Sequence, residues 1–557
     1  MSKFNIPSGS FDPHFEMRTD SIQNNEGGTA FTLPPEARLY QLACTCLVGE
    51  KKFYDKSGQD KALREAAAEV ANTNPMFLLQ LASYCRTNMG LRSVPLMLAL
   101  EYAKNAPGQV PGAAKYISTI LQRADELTEI LAMSMSQQGK VPRENIKYPM
   151  VIRNAVKLAF ESERFDEYQL AKYKGDGKSV SLKYAMIVSR PKPHSPKQRE
   201  LFEKIMGRYL TAPGGEVILV DGKPSKKHLA IPETWETQRS MGLMTWSEVL
   251  RNIFFKNGRA RNYFAIIRNL NNMLSSIDMT PQDFDILAKA IMDQNAIANS
   301  RIWPFRYLAA ISAIEKNMVA SKFSIQGALA NAFEMSINNM PKLPGHTLFC
   351  GDVSVSMSGN ISAMSNMDRR RIAILMATMG TRFCENPYLC LFANETALIN
   401  LPRNTNPLIA TGVIFNDYAR TLGGGTQADK VFSEVTPKLP PLDRIVFFTD
   451  QEFWGNWVDN DRFQKLFWYY KNKVSRTAKL FLVNLESYGT SAMPYKFPDT
   501  HLLAGWTPEI FKYIAQADVS PLGVVDMIKK IDLEAIWREQ GEVKRSAYRP
   551  ATDSDSS

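Results

Sequence analysis

The stretch LFCGDVSVSMSG, residues 348–359, decides how the second half of this chain is read. A short apolar run from Leu348 to Cys350 gives way to Asp352, Ser354 and Ser356, three small oxygen-bearing side chains at alternate positions. Side chains of an extended segment alternate between its two sides, so a buried strand ending here aims three oxygens at a single point as it leaves the sheet. Working outward, the pattern changes at MPKLPGHT (340–347). From there TLFCGDV, YLCLFA, ALINL, DRIVFFTD and AKLFLVNLE alternate with helical segments such as DRRRIAILMATMGTRFCE, DRFQKLFWYYKNKV and PEIFKYIAQ. Short apolar strands alternating with helices predict an α/β, mostly parallel, doubly wound sheet.

Ligands of such sheets bind at the carboxyl ends of the strands, where the strand order reverses. LFCGD delivers Asp352 to that edge, and IVFFTD delivers Asp450 to it. Between them the glycine-rich turn LGGGTQ (422–427) carries Thr426 on a loop that can approach closely because its glycines lack side chains. Asp352, Ser354, Ser356, Thr426 and Asp450 then form a set of hard oxygen donors suited to Mg²⁺, which takes about six oxygens and keeps several waters. With only two carboxylates in the set, an open position on the cation is expected to accept an anionic oxygen. DxSxS alone is an ordinary turn composition, and GGGT alone reads as a loop or a phosphate nest. Three pieces in this order, each after a strand, carry far more weight. No Gly-Lys-Ser/Thr follows the glycines, which disfavours a phosphate-binding P-loop.

Up to about residue 340 the apolar residues recur at helical spacing, as in ALREAAAEVA (62–71), PMFLLQLASYCR (75–86), VPLMLALEYAKN (94–105), AAKYISTILQRADELTEILAMSM (113–135) and MVIRNAVKLAF (150–160). Strand patterns are nearly absent there, and turns such as NTNP, NAPGQVPG and QQGKVP separate the helices. Amphipathic pairs of this kind cannot bury their apolar faces alone, so stacking as an α-solenoid is expected; no fixed repeat period is visible.

At 557 residues the chain exceeds the ~250–300 residues at which single cores stop growing, so two domains are expected. Its composition, 45% hydrophobic and 22% charged with a mean hydropathy of -0.24, is that of an ordinary globular protein. No apolar run reaches the ~18 residues of a membrane span and the N-terminus lacks a signal-peptide core, so no membrane association and a cytoplasmic location are expected. Six scattered cysteines make no disulfide framework, and without a CxxC pair a zinc site has no local signature. The net charge of +11 is unevenly placed. Residues 1–345 hold 44 Lys and Arg against 33 Asp and Glu, whereas residues 346–557 hold 23 of each. Residues 140–200 alone carry 14 basic and 7 acidic side chains, which points to a polyanionic partner for the first half, or else to a solvated basic face.

The metal-type motif resembles the metal-ion-dependent adhesion site of von Willebrand factor A-type domains, with all five positions present. A helical N-terminal part followed by one such domain resembles the Ro ribonucleoprotein autoantigen family, whose helical part is the TROVE module. NPMFLLQLASYCR, WSEVLRNIFFKNGRARNYFAIIRNLNNM (246–273), SRIWPFRYLAAI (300–311) and RIVFFTDQEF (444–453) are similar to segments of that family, and the resemblance runs from about residue 30 to 530. It implies a multidomain protein: an N-terminal extension (1–30), a TROVE-like ring of HEAT-like helical repeats (31–343), an A-type domain (344–535) and a polar tail expected to be disordered (536–557). It further implies that a basic hole takes single-stranded 3′ ends of misfolded small RNAs and that the outer surface binds structured Y RNAs. Such binding works mainly through phosphates and RNA shape. The segment 172–199 matches the outer-surface region and offers Lys172, Lys174, Lys178, Arg190 and Lys192. Arg190 stands where the family has a histidine, which leaves Y RNA selectivity open. The segment 251–270 offers Arg251, Lys256, Arg259, Arg261 and Arg268 for the hole, with Tyr263 or Phe264 available for stacking. Alternatively, those aromatics are core and the arginines pair with acids.

A metal invites an enzymatic reading, since Mg²⁺ can activate water. Against it, G-x-S-x-G and HExxH are absent, there are only five histidines, and His346 at the domain junction reads as structural. The expectation is therefore a non-enzymatic, monomeric RNA binder that scaffolds or checks small non-coding RNAs, with an exoribonuclease among the candidate partners. The competing expectation is a metal-dependent protein scaffold that captures a partner's carboxylate.

Overall fold

In a computed structural model, residues 21–46, 59–139, 141–175, 177–211, 216–220, 223–229, 234–300, 302, 304–314, 322–337, 340–361, 367–454, 461–517 and 523–540 are described. The first 20 residues of the N-terminal extension and the tail beyond residue 540 lie outside them. Two compact units emerge, one of residues 1–63 with 235–527 and the other of residues 64–234 with 528–557. Strands of the first unit's two larger sheets are numbered β1 (Ser21–Gln23), β2 (Thr29–Thr32), β3 (Leu343–Asp352), β4 (Cys384–Phe392), β5 (Thr396–Ile399), β6 (Arg444–Thr449), β7 (Lys479–Asn484), β8 (Thr490–Ser491) and β9 (Thr500–Ala504).

The apolar runs form one six-stranded sheet in the order β9-β7-β6-β3-β4-β5. All neighbours are parallel except β5, which returns antiparallel on β4. Both faces are covered, as uninterrupted apolar strands require. One face presents Leu348, Cys350, Phe392, Ile445, Phe447, Leu480 and Leu482 to Phe432, Phe463 and Phe467. The other receives the helix Arg369–Phe383, and Phe511 packs against Phe383 and Phe448 with ring centroids 5.3 and 6.2 Å away. Close approach of that helix requires a missing side chain: a Cβ on Gly380 would collide with the Phe349 ring. The chain runs β3, β4, β5 to one side and then returns to place β6 on the other side of β3. The sheet's switch point therefore lies between β3 and β6, as the positions of Asp352 and Asp450 require.

The switch from helical to strand pattern near residue 340 is observed, but the compact unit reaches back across it to Trp235. The helix Lys322–Ile337 is tied to the α/β part by Arg382–Glu334 at 3.2 Å and by Asn406 Nδ2 donating to Ala330 O at 2.8 Å. The helix Pro35–Thr45 also joins it, Tyr40 OH accepting from Ala504 N at 3.1 Å. Residues 21–32 form a hairpin in which β2 pairs with β8, Phe31 opposite Ser491.

In the second unit the helices Pro75–Thr87 and Ser93–Asn105 pack against each other, as do Ala113–Ile120 and Met150–Glu161. Asn74, Asp166, Ser181 and Ser195 cap helices through their side chains, which satisfies N–H groups the helix leaves unpaired. Gln80 Nε2 donates to Lys529 O and Ile531 O at 2.8 and 3.0 Å, fastening the C-terminal segment into this unit. Two short hairpins, Leu219–Val220 with Lys223–Pro224 and Phe255–Lys256 with Arg259–Ala260, are small strand pairs inside the helical region. Among the described residues the six cysteines form no disulfide, and no helix is long and apolar enough to cross a membrane.

Candidate metal centre and cationic faces

Parallel pairing of β3 with β6 sets Phe448 opposite Gly351, so the next pair out is Thr449 beside Asp352 and Asp450 lies one step beyond. The Thr449 hydroxyl donates to Asp352 Oδ2 at 2.6 Å, and Ser354 N donates to Oδ1 at 2.9 Å. Past the strand end Ser354 Oγ lies 3.1 Å from Ser356 Oγ, which opens a 3₁₀ turn (Ser356–Ser358). Asp450 Oδ1 accepts from Glu452 N at 3.1 Å. The glycine loop closes the group: Val355 N donates to Gly424 O at 2.9 Å, and Trp454 N donates to Thr426 O at 2.9 Å. Any Cβ on Gly423, Gly424 or Gly425 would collide with Asn394 or Val355, so close approach needs all three glycines.

All five predicted donors, Asp352, Ser354, Ser356, Thr426 and Asp450, are thus brought to one rim, each essentially buried. Burial is the first cause acting on both carboxyls. It lifts Asp352 to about 6 against the hydrogen bonds from Ser354 and Thr449, and Glu26 adds to the rise. It lifts Asp450 further, with Asp352 and Glu452 reinforcing it. Among the described residues Asp450 Oδ2 and Thr426 Oγ1 have no hydrogen-bond partner. Buried oxygens without partners are costly in a protein interior. A hard cation would satisfy both and offset the repulsion between the carboxylates, so the residues fit Mg²⁺. Among the described residues no three His, Cys, Asp or Glu side chains form a metal cage, so a cation here depends on hydroxyl and water oxygens as well.

The basic candidates fall in both units. Lys172 ends the helix Glu167–Lys172, Lys174 and Lys178 lie in the following turn, Arg190 caps the helix Leu182–Ser189 in a left-handed conformation, and Lys192 follows; all five are exposed. Lys192 N is anchored by Glu161 Oε1 at 2.7 Å. In the other unit Lys256 and Arg259 sit opposite each other in a hairpin, and Arg261 and Arg268 flank the helix Tyr263–Arg268; all are exposed. Arg251 differs, because it pairs with the buried Asp283 at 2.6 Å.

Of the two stacking candidates only Phe264 is accessible, at 47% exposure. Tyr263 is corrected to a core residue: its hydroxyl donates to Ile291 O at 2.7 Å and lies 3.3 Å from Tyr307 OH, because the helix turns it inward. A cation that the sequence reading did not single out joins this place. Arg306, in SRIWPFRYLAAI, lays its guanidinium 5.6 Å from the Phe264 ring and 5.0 Å from Phe305. Arg306 is solvent-exposed, yet partial desolvation of its guanidinium and then the neighbouring Arg268 lower its pKa. An arginine placed among aromatics in a segment of no net negative charge was the available signal.

Comparison with known proteins gives a TROVE domain over residues 35–217 and 220–374. Telomerase protein component 1 of Rattus norvegicus is 21% identical over 376 residues, 56% of this chain and 13% of that protein. Its Mus musculus counterpart is 24% identical over 341 residues, 50% of this chain and 13% of that protein. This chain therefore matches only a small part of the length of these relatives. The crystal structure of the Deinococcus radiodurans Ro (RSR) protein is similar in fold, with a TM-score of 0.54 at 17% identity, covering 87% of this chain and 100% of that one.

Proposed function

The chain belongs to the TROVE-domain family, and from that premise we propose that it is an RNA-binding ribonucleoprotein component. The observation that carries the proposal is the Arg268 and Arg306 pair beside the exposed Phe264. Two guanidiniums held near each other, with no acid paired to either among the described residues, repel, and a polyanion relieves that repulsion. An exposed ring beside them supplies a face on which an unpaired base can stack. Single-stranded 3′ ends of misfolded small RNAs are the ligand class proposed for this place, with Lys256, Arg259 and Arg261 as further phosphate contacts. Lys172, Lys174, Lys178, Arg190 and Lys192 are proposed to bind structured, Y-RNA-like small RNAs. The helical segments are read as HEAT-like repeats, and the protein as a cytoplasmic, monomeric binder without catalytic activity.

The α/β part is proposed to be a von Willebrand factor A-type domain. In that reading Asp352, Ser354, Ser356, Thr426 and Asp450 would hold Mg²⁺, which supplies a positive charge able to take an acidic oxygen. The partnerless Asp450 Oδ2 and Thr426 Oγ1 favour it. It also sustains a second role, capture of a protein partner, an exoribonuclease among the candidates, through a carboxylate. Affinity for a single-stranded oligonucleotide, measured from low to high salt with and without EDTA, separates the two. RNA binding through phosphates falls steeply with salt and survives EDTA, whereas metal-centred capture of a protein is abolished by EDTA.

A further inference from the structure

A cavity of about 530 Å³ opens along β9, the outermost strand on one side of the six-stranded sheet. The helix Pro35–Thr45, the loop 495–499 and the helices Glu509–Ala517 and Val524–Lys529 wall it. Register decides what the strand shows to it. Leu480 N donates to Asp499 O and Gly505 N to Asn484 O, at 2.8 and 2.9 Å, so the odd-numbered residues along β9 turn their backbone groups toward β7. The even-numbered ones turn theirs outward. Ala504 N donates to Tyr40 OH and Thr500 N to Phe497 O, each at 3.1 Å. Leu502 lies between them, half-buried and lining the cavity, and among the described residues no group pairs with its outward N–H and C=O.

A backbone donor and acceptor set side by side and partly shielded from solvent carry a cost until a ligand or a water meets them. A planar group with an acceptor next to a donor along one edge matches the pair, and every nucleobase has such an edge. The rest of the lining suits the rest of a nucleotide. Tyr495, Phe497 and His501 are half-buried and offer ring surface for stacking. His501 is held in place by stacking on Phe481, centroids 4.7 Å apart, and by a 3.0 Å hydrogen bond between its Nδ1 and Tyr513 OH. Charge favours an anion. Asp499 pairs with Lys471 at 2.5 Å, so among the described lining residues Lys496, exposed at the mouth, and Lys479, which also donates to Ala517 O, stand against Asp526.

We propose that this cavity binds a nucleoside monophosphate unit, with its base on the Leu502 backbone and its phosphate on Lys496. Its volume is within the range of small-molecule sites and holds one such unit.

Full-length protein in EDTA, which strips any cation from the centre at Asp352 and Asp450, is titrated with AMP by isothermal calorimetry at low salt. Saturable binding is expected, and ribose 5-phosphate, which lacks the base, is expected not to bind. Leu502→Pro removes the outward N–H, a change that edge strands tolerate, and should weaken AMP about tenfold. Lys496→Glu should weaken AMP about tenfold and leave adenosine, which has no phosphate, unaffected. Thermal melting checks that both variants fold, and the Lys496→Glu comparison stands by itself should Leu502→Pro not fold. Competition with pApA identifies the source of the unit: displacement of bound AMP at lower concentration than AMP itself requires assigns a strand end, and at higher concentration a free nucleotide. No saturable AMP binding, ribose 5-phosphate binding as tightly as AMP, or wild-type AMP affinity in Lys496→Glu would each overturn the proposal.

Discussion

Arg369 and Glu486, each about 2% exposed, form an ion pair of 2.5 Å that joins the two chain segments leaving the sheet beside the candidate metal centre. Arg369 Nη1 also donates to Gly359 O at 3.1 Å, just past Ser356, and Tyr488 OH donates to Glu486 Oε2 at 3.1 Å. Removing one partner leaves the other charge buried without its counter-charge. Arg369→Met should therefore cost about 3–5 kcal/mol in chemical denaturation. The double variant Arg369→Met/Glu486→Leu should recover most of that loss. A double variant as unstable as the single one would show that the pair is not an isolated electrostatic unit.

Asp283 supplies a pH-dependent term. Burial acts to raise its pKa, but hydrogen bonds from Thr280 N, the Thr280 and Ser247 hydroxyls and Arg251 outweigh it and hold the carboxyl below its ordinary value. A depressed folded-state pKa stabilises above the unfolded value near ~4, and the contribution is lost as pH falls through the lower folded value. Asp283→Asn should destabilise by about 1–3 kcal/mol at neutral pH, and the gap to wild type should close as the pH drops below that range. Denaturant midpoints of both proteins across that range check it; a gap independent of pH would contradict it.

The metal centre has an opposite signature in stability. Asp450→Asn removes a buried charge, so in EDTA the variant should melt no lower than wild type. With Mg²⁺ in excess wild type should rise by several degrees and the variant should not, since a ligand that binds only the folded state stabilises it in proportion to ln(1 + [L]/Kd). Calorimetric melts in both buffers decide the matter. Equal Mg²⁺ shifts in the two proteins would remove Asp450 from the site.

Much of this architecture was legible because it is local. The alternation of Leu348, Cys350 and Asp352, the run ending in Asp450 and the glycines before Thr426 each report their own strand or turn, and topology brings their ends together. Contacts distant in sequence left no such trace. Nothing in SIQ (21–23) announces that its hairpin partner pairs with Ser491, and nothing near Arg369 names Glu486. Thr449 became a partner of Asp352 only through strand register, which adjacency to Asp450 alone does not fix. The same limit applies to the cations. Arg251 and Arg268 look alike in the chain, and only packing shows one bound to Asp283 and the other set beside Arg306. In the short helix Tyr263–Arg268, too few residues establish a periodicity, so which of Tyr263 and Phe264 faces outward was undecidable from pattern.

Arg268 and Arg306 beside the exposed Phe264 ring are proposed to grip polynucleotide, and the salt dependence of single-stranded RNA affinity for Arg268→Glu/Arg306→Glu against wild type tests this. The double variant should bind more weakly at every salt concentration, with a logarithmic salt slope shallower by about 1.4, two phosphate contacts at ~0.7 each. Affinity and slope identical to wild type in the folded variant would contradict it.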